Sequence, residues 1–478
     1  MNRFDPRLGV ALIAVFFVAV IVLSVIFAGR GVVRDDLERN IAIPDDLLMD
    51  LRFKVAYDDE NIYWRFEWDA PNGSFYHDLF AYEDGEWVRY GESPVGSEEF
   101  GFYEDRMTFF VDDGSVPYFA QYGGFITAIS DQMRFFTDEA SEEEVEAVIG
   151  ESDLRKWLPG TRTDFYDWTT VRSEEELEAL TEAGYFLDLW HWRAHRSNPV
   201  GFADDTLVTW YRLSDEGTGP FATNWDSDLE QPNFMFDPDI TGQYALRWER
   251  LVNREYTQDD YYYLSEDIAV PFDPDHDWQE GDVIPRRLLR EPDGSRGDIF
   301  ANGIWDQEMW HVDLMRALDT GNPQDDKILH HLGVYDVAFA VHRDATTARW
   351  HYVSNPLTLG LSRDADVEAL RFDGDQPPWD DIEWTEITLF YPGQIAWDHL
   401  MSDAHAGYEE MQRRTAVEVA HTEEELARYA VESEFRSEIR TQWTWTTLSW
   451  AVFFLLGSWA LIRVADSERG PWSRRRED

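Results

Sequence analysis

Residues 185–205 read Tyr-Phe-Leu-Asp-Leu-Trp-His-Trp-Arg-Ala-His-Arg-Ser-Asn-Pro-Val-Gly-Phe-Ala-Asp-Asp. On entry the stretch alternates, with Phe186, Leu187, Leu189, Trp190 and Trp192 interleaved with Asp188 and His191, which predicts a β-strand. It then turns polar through Arg193, His195, Arg196 and Ser197-Asn198-Pro199, the chemistry of a turn. Two histidines and two arginines therefore follow large aromatics at a strand end. That combination suits a flat, apolar, acid-bearing ligand. Trp190 and Trp192 would wall its faces, an imidazole would reach a metal, and guanidinium groups would pair with carboxylates. The competing reading is a buried Trp-rich strand followed by solvated charges.

Outward from this stretch the same period recurs. Residues 51–68 alternate through Phe53, Val55 and Tyr57, then Ile62, Trp64, Phe66 and Trp68, with Asp58-Asp59-Glu60-Asn61 as a hairpin turn. Residues 107–111, 124–129, 206–213, 244–252, 334–343 and 347–354 are expected to be further strands. Residues 141–149 and 173–183 each open on a serine followed by glutamates and predict short helices. The fold class expected is mainly β, an antiparallel β-sandwich with helical insertions.

Five blocks carry a resemblance: the stretch above; residues 55–71, from Val55 to Pro71; Glu104-Asp-Arg-Met107; residues 310–326 with Arg316-Ala-Leu-Asp-Thr-Gly321; and Arg349-Trp-His-Tyr-Val-Ser354. Taken in chain order they resemble the haem-binding domain of ethylbenzene dehydrogenase-type proteins, gamma subunits of molybdenum enzymes, across roughly residues 50–362. The resemblance implies a haem b whose iron is held by a methionine and a lysine. Met107 is the methionine expected, with Met133 in reserve. The family's Trp-His-Trp-Lys reads Trp190-His191-Trp192-Arg193 here, and arginine has no lone pair for iron. Either His191 or His195 replaces the lysine, with His351 a lesser candidate, or the haem has been lost. Arg106, Arg193 and Arg196 would pair with the propionates, and Trp190 and Trp192 would line the pocket.

Composition narrows the rest. Lys+Arg 41 against Asp+Glu 95 gives a net charge of −54, which excludes a nucleic-acid partner because phosphate would be repelled. With 44% hydrophobic and 15% aromatic residues, the chain has the content of a folded protein rather than an acidic disordered one. Lys54, Lys156 and Lys327 are its only lysines, so the positive charge is nearly all arginine. This carboxylate-covered surface is expected of a halophilic protein. Cysteine is absent, which excludes disulfides, thiolate metal sites and covalent haem attachment.

Residues 8–28 form an apolar run long enough to span a bilayer, and residues 445–464 are a second candidate. Arginines at both chain ends place both termini in the cytoplasm by the positive-inside rule. The expected organisation is an anchor over 1–30, an extracytoplasmic haem-binding-like domain over 31–402, a helical stalk over 403–443, a transmembrane helix over 444–464 and a basic tail over 465–478. The functional expectation is a membrane-anchored b-type haem protein. It would transfer electrons to or from a redox protein or complex subunits in a cell membrane, more as a non-catalytic subunit than as an enzyme by itself. The alternatives are a haem-less scaffold subunit and a carbohydrate-binding sandwich module.

Overall fold

The computed structural model describes residues 15–20, 22, 48–91, 101–127, 142–151, 156–164, 167–345, 350–390 and 436–468. The chain divides into two compact units, Met1–Ile43 with Val431–Asp478, and Pro44–Ala430.

In the larger unit the alternating pattern forms the expected hairpin. Strands Leu48–Tyr57 and Asn61–Asp69 pair antiparallel with Phe53 opposite Phe66 and Val55 opposite Trp64. Asp58 Oδ1 closes the turn by accepting from the backbone N–H groups of Glu60 and Asn61 at 2.8 and 2.7 Å. Phe53, Val55, Ile62, Trp64, Phe66 and Trp68 are buried, while Arg52, Lys54, Arg65 and Glu67 between them are not. This one-sided burial is what the period of two records.

The hairpin lies within a 13-stranded, mainly antiparallel sheet. One path runs from Phe300–Asp306 through Met309–Ala317, the hairpin, Val367–Arg371, Leu357–Leu361, Val334–Arg343, Arg106–Asp112, Leu187–Arg193 and Asp204–Val208 to Arg212–Ser214. A second path links the same strands: residues 48–53 also pair with Thr385–Phe390, and residues 340–343 with Trp350–Val353. The sheet therefore folds over itself into facing layers, as in a β-sandwich. Rings from strands that are not sheet neighbours meet inside, Phe53 on Phe339 at 4.8 Å and Trp64 on Phe109 at 5.0 Å.

Helices Glu142–Ile149 and Glu174–Glu182 are inserted where the serine-led acidic segments predict them. Three expected strands differ. Residues Gly123–Ile126 form a 3-10 turn, because Gly123 takes a positive φ of 52° and packs tightly on Ala338 and Pro356. Residues 206–213 divide at a turn closed by Thr209 N–H to Tyr211 O. Residues 244–252 contribute only Leu246–Arg247 to a sheet and continue as helix Trp248–Val252, which buries Leu251.

The membrane expectation is corrected. Among the described residues, no helix is long and apolar enough to cross a membrane. Helix Arg436–Glu468 has 33 residues, but Thr446, Thr447, Ser449, Gly457 and Ser458 interrupt its apolar run, and tryptophans dilute it. Of the N-terminal run, residues 15–20 and 22 are described, and the rest of the run over 8–28 lies outside the described residues. The two transmembrane helices, the cytoplasmic termini, the extracytoplasmic domain and the membrane as partner lose their support together. Most of the stalk over 403–443 lies outside the described residues.

Candidate functional site

Strand Leu187–Arg193 is buried along its whole length, so both of its faces meet protein. Register assigns the faces. Met107 lies opposite Trp192 and Phe109 opposite Trp190, all four turned into the aromatic core. Thr108 lies opposite His191 and Arg106 opposite Arg193, on the other face. Met107 and His191 thus point to opposite sides of one sheet. Trp190 and Trp192 are fully buried core residues: Trp192 packs edge-on to Trp310 at 5.0 Å, and Trp190 tilts on Phe109 at 5.0 Å.

On the second face the structure gathers Arg106, His191, Arg193, His195 and Arg196, every one of them buried. It adds His77, Glu104 and Arg287, and two supporting rings. The guanidinium carbons of Arg193, Arg196 and Arg287 stand 5.4, 5.1 and 5.4 Å from the centre of the Phe221 ring. That of Arg106 stands 4.1 Å from Tyr103. Two carboxylates anchor the group. Glu104 Oε2 accepts the backbone N–H groups of His195 and Arg196 at 2.7 and 2.8 Å, and its Oε1 accepts from Arg196 Nε. Asp204 accepts from Arg193 and from Arg296. Burial pushes the Glu104 carboxyl up, yet Arg196 and then Arg106 hold it down at about 2.

The three imidazoles are kept neutral. Burial lowers His77 and His191 well below the ordinary histidine range, reinforced for His77 by Arg196 and for His191 by Arg193. Burial lowers His195 too, against Glu104. Hydrogen bonds distinguish their tautomers. Arg193 can only donate, so His191 Nδ1 accepts its contact at 2.8 Å and Nε2 carries the hydrogen. The Phe75 carbonyl can only accept, so His195 Nδ1 donates at 3.1 Å and Nε2 carries the lone pair. That Nε2 is buried and, among the described residues, has no hydrogen-bond partner. A neutral imidazole steered through Nδ1 by a backbone carbonyl is the usual arrangement of a metal ligand. His191, in the opposite tautomer, is not so arranged.

The remaining expected residues divide. His351 lies on strand Trp350–Val353, in register with His342, which is itself in register with Arg106. Met133 lies outside the described residues. His77, Phe221 and Arg287 were not legible as site residues, because a loop and two short strands bring them from distant sequence. The available signal was global: buried arginines converge in a chain of net charge −54.

The chain is 29% identical over 92 residues to cytochrome c-552 of Stutzerimonas stutzeri, which is 19% of this chain and 30% of that protein. It therefore covers about a third of the length of that curated relative. The family described as ethylbenzene dehydrogenase matches residues 24–354, more than half of the sequence, and the chain belongs to that family.

Proposed function

We propose that this chain binds a b-type haem non-covalently and passes single electrons to or from a redox protein or complex, without being an enzyme by itself. The observation that carries the reading is the unpartnered Nε2 of His195, set in a buried ring of arginines. When bound, haem supplies a one-electron iron couple whose potential the surrounding protein tunes. His195 Nε2 would hold the iron, while the Phe75 carbonyl fixes the ring and Glu104 fixes the backbone beneath it. Arg106, Arg196 and Arg287 would receive the propionates, the partners that planar guanidinium groups favour. Burial of the cluster excludes water and strengthens each of these interactions. The name of the Stutzerimonas stutzeri relative, a cytochrome, supports the same chemistry. Attachment here would be non-covalent, since the sequence has no cysteine.

The haem-less scaffold reading draws on one contact. Arg193, at the position of the family lysine, already has both Nη groups engaged, by Asp204 and His191. The carbohydrate reading loses its aromatic platform, since Trp190 and Trp192 are buried in the core. An absorption spectrum of protein purified with haem supplied, oxidised and dithionite-reduced, with a pyridine haemochrome assay, separates haem binding from both. Sharp reduced b-type bands are expected. Their absence would favour the scaffold.

A further inference from the structure

On the opposite face of the same strand lies a second buried polar cluster that the haem reading does not use. Arg316 is fully buried, its guanidinium carbon 4.3 Å from the centre of the Trp190 ring. Its Nη1 donates to Asp205 at 2.8 Å and to Asp326 at 3.0 Å, and its Nη2 donates to Asp188 at 2.7 Å. Oxygens of these three carboxylates lie within 4.8 Å of one another. Two more carboxylates adjoin them. Thr206 pairs with Ser214, so the next cross-strand position sets Asp215 beside Asp205. Asp298 adjoins Asp205 from the turn after Ser295–Gly297.

The charges do not balance. Among the described residues, five carboxylates meet one guanidinium. Lys327 turns its ammonium away to Asp113 and Ser115, and Arg296 is engaged by Asp204. The hydrogen bonds do not balance either. Asp215 is 4% exposed and neither of its oxygens has a partner. Oδ1 of the fully buried Asp188 is also without one, and the Asp298 carboxyl sits within hydrogen-bonding reach of Asp205. Buried carboxylates left in this state are costly, and a cation relieves the cost directly. The donor set is all oxygen, which selects a hard cation over a transition metal.

We propose that Asp188, Asp205, Asp215 and Asp298 hold a divalent cation of the calcium class beside Arg316, tying together four separate chain segments. The ion would occupy the side of Asp205 nearer Asp215 and Asp298, leaving Arg316 in its three contacts. Its role is structural, and it is independent of the haem reading.

The test uses the full chain, freed of metal with EGTA and titrated with CaCl2 or MgCl2 at constant high KCl. The expected result is one calcium bound per chain by calorimetry, with a melting temperature raised by several degrees. Asp215→Asn should abolish both responses while the metal-free variant melts no lower than the metal-free parent, since it loses a repelled carboxylate. Asp293→Asn, on the surface, should retain both. Absence of calorimetric binding with a melting temperature indifferent to CaCl2 would overturn the proposal, leaving the carboxylates to share protons. Undiminished calcium binding in Asp215→Asn would overturn it as well.

Discussion

His195 Nδ1 stands 3.1 Å from the carbonyl oxygen of Phe75, 120 positions earlier in the chain. Because a carbonyl only accepts, this contact fixes the tautomer and leaves a lone pair on the buried Nε2. Four positions before it, His191 is fixed the other way by Arg193. Two histidines that look equivalent in the sequence are therefore chemically distinct, and the lone pair of His195 Nε2 is the one left unengaged.

The buried histidines predict an acid sensitivity. His77 and His191 are held below the ordinary value near 6.5, chiefly by burial, so they stay neutral in the fold while the unfolded chain takes up protons. Their contribution to stability is complete above the unfolded pKa and is lost as the pH falls below about 6.5. Each costs at most about 1.4 kcal/mol per pH unit. His191→Asn, whose Oδ1 can still accept from Arg193, should flatten the difference in unfolding free energy between pH 7.5 and 5.5. A slope unchanged by that substitution would contradict neutral burial.

Arg316 is predicted to be indispensable. Arg316→Leu leaves Asp188, Asp205 and Asp326 buried without their shared donor and should cost about 3–5 kcal/mol in denaturant unfolding. Arg316→Lys should recover little, since an ammonium cannot present a planar fork to three carboxylates. A loss below about 1 kcal/mol for Arg316→Leu would show that the carboxylates are compensated in another way.

How much of this was legible follows from where water stood. Where one face of a strand is solvated, as in residues 51–68, alternation gave strand and turn together. Strand Leu187–Arg193 also alternates, but neither of its faces is solvated. Asp188 enters the carboxylate cluster on one side, while His191 and Arg193 enter the cationic cluster on the other. The pattern of core and surface was in truth one of two buried sites. His195, Arg106 and Arg196 were legible because they flank that strand in two adjacent blocks. His77 and Arg287 were not, since only tertiary packing brings them in. The carboxylate cluster was invisible for a different reason: among 95 acidic residues no single aspartate stands out.

The charge itself makes a prediction. At −54 the folded chain repels itself, and salt shortens the reach of that repulsion from about 10 Å at 0.1 M to about 3 Å at 1 M. Thermal unfolding should shift upward between 0.1 and 2 M KCl. Greater stability at the lower salt would contradict a halophilic surface.

The most direct test of the central claim is the reduced absorption spectrum of His195→Ala beside those of the parent chain, His191→Ala and Met107→Leu, all purified with haem supplied and checked for folding. The parent should show sharp b-type bands, and folded His195→Ala should lose them. His191→Ala and Met107→Leu should keep haem, since one imidazole is in the wrong tautomer and the methionine side chain belongs to the core. An unaltered spectrum in His195→Ala, or its loss in folded Met107→Leu, would contradict the assignment of His195 as the iron ligand.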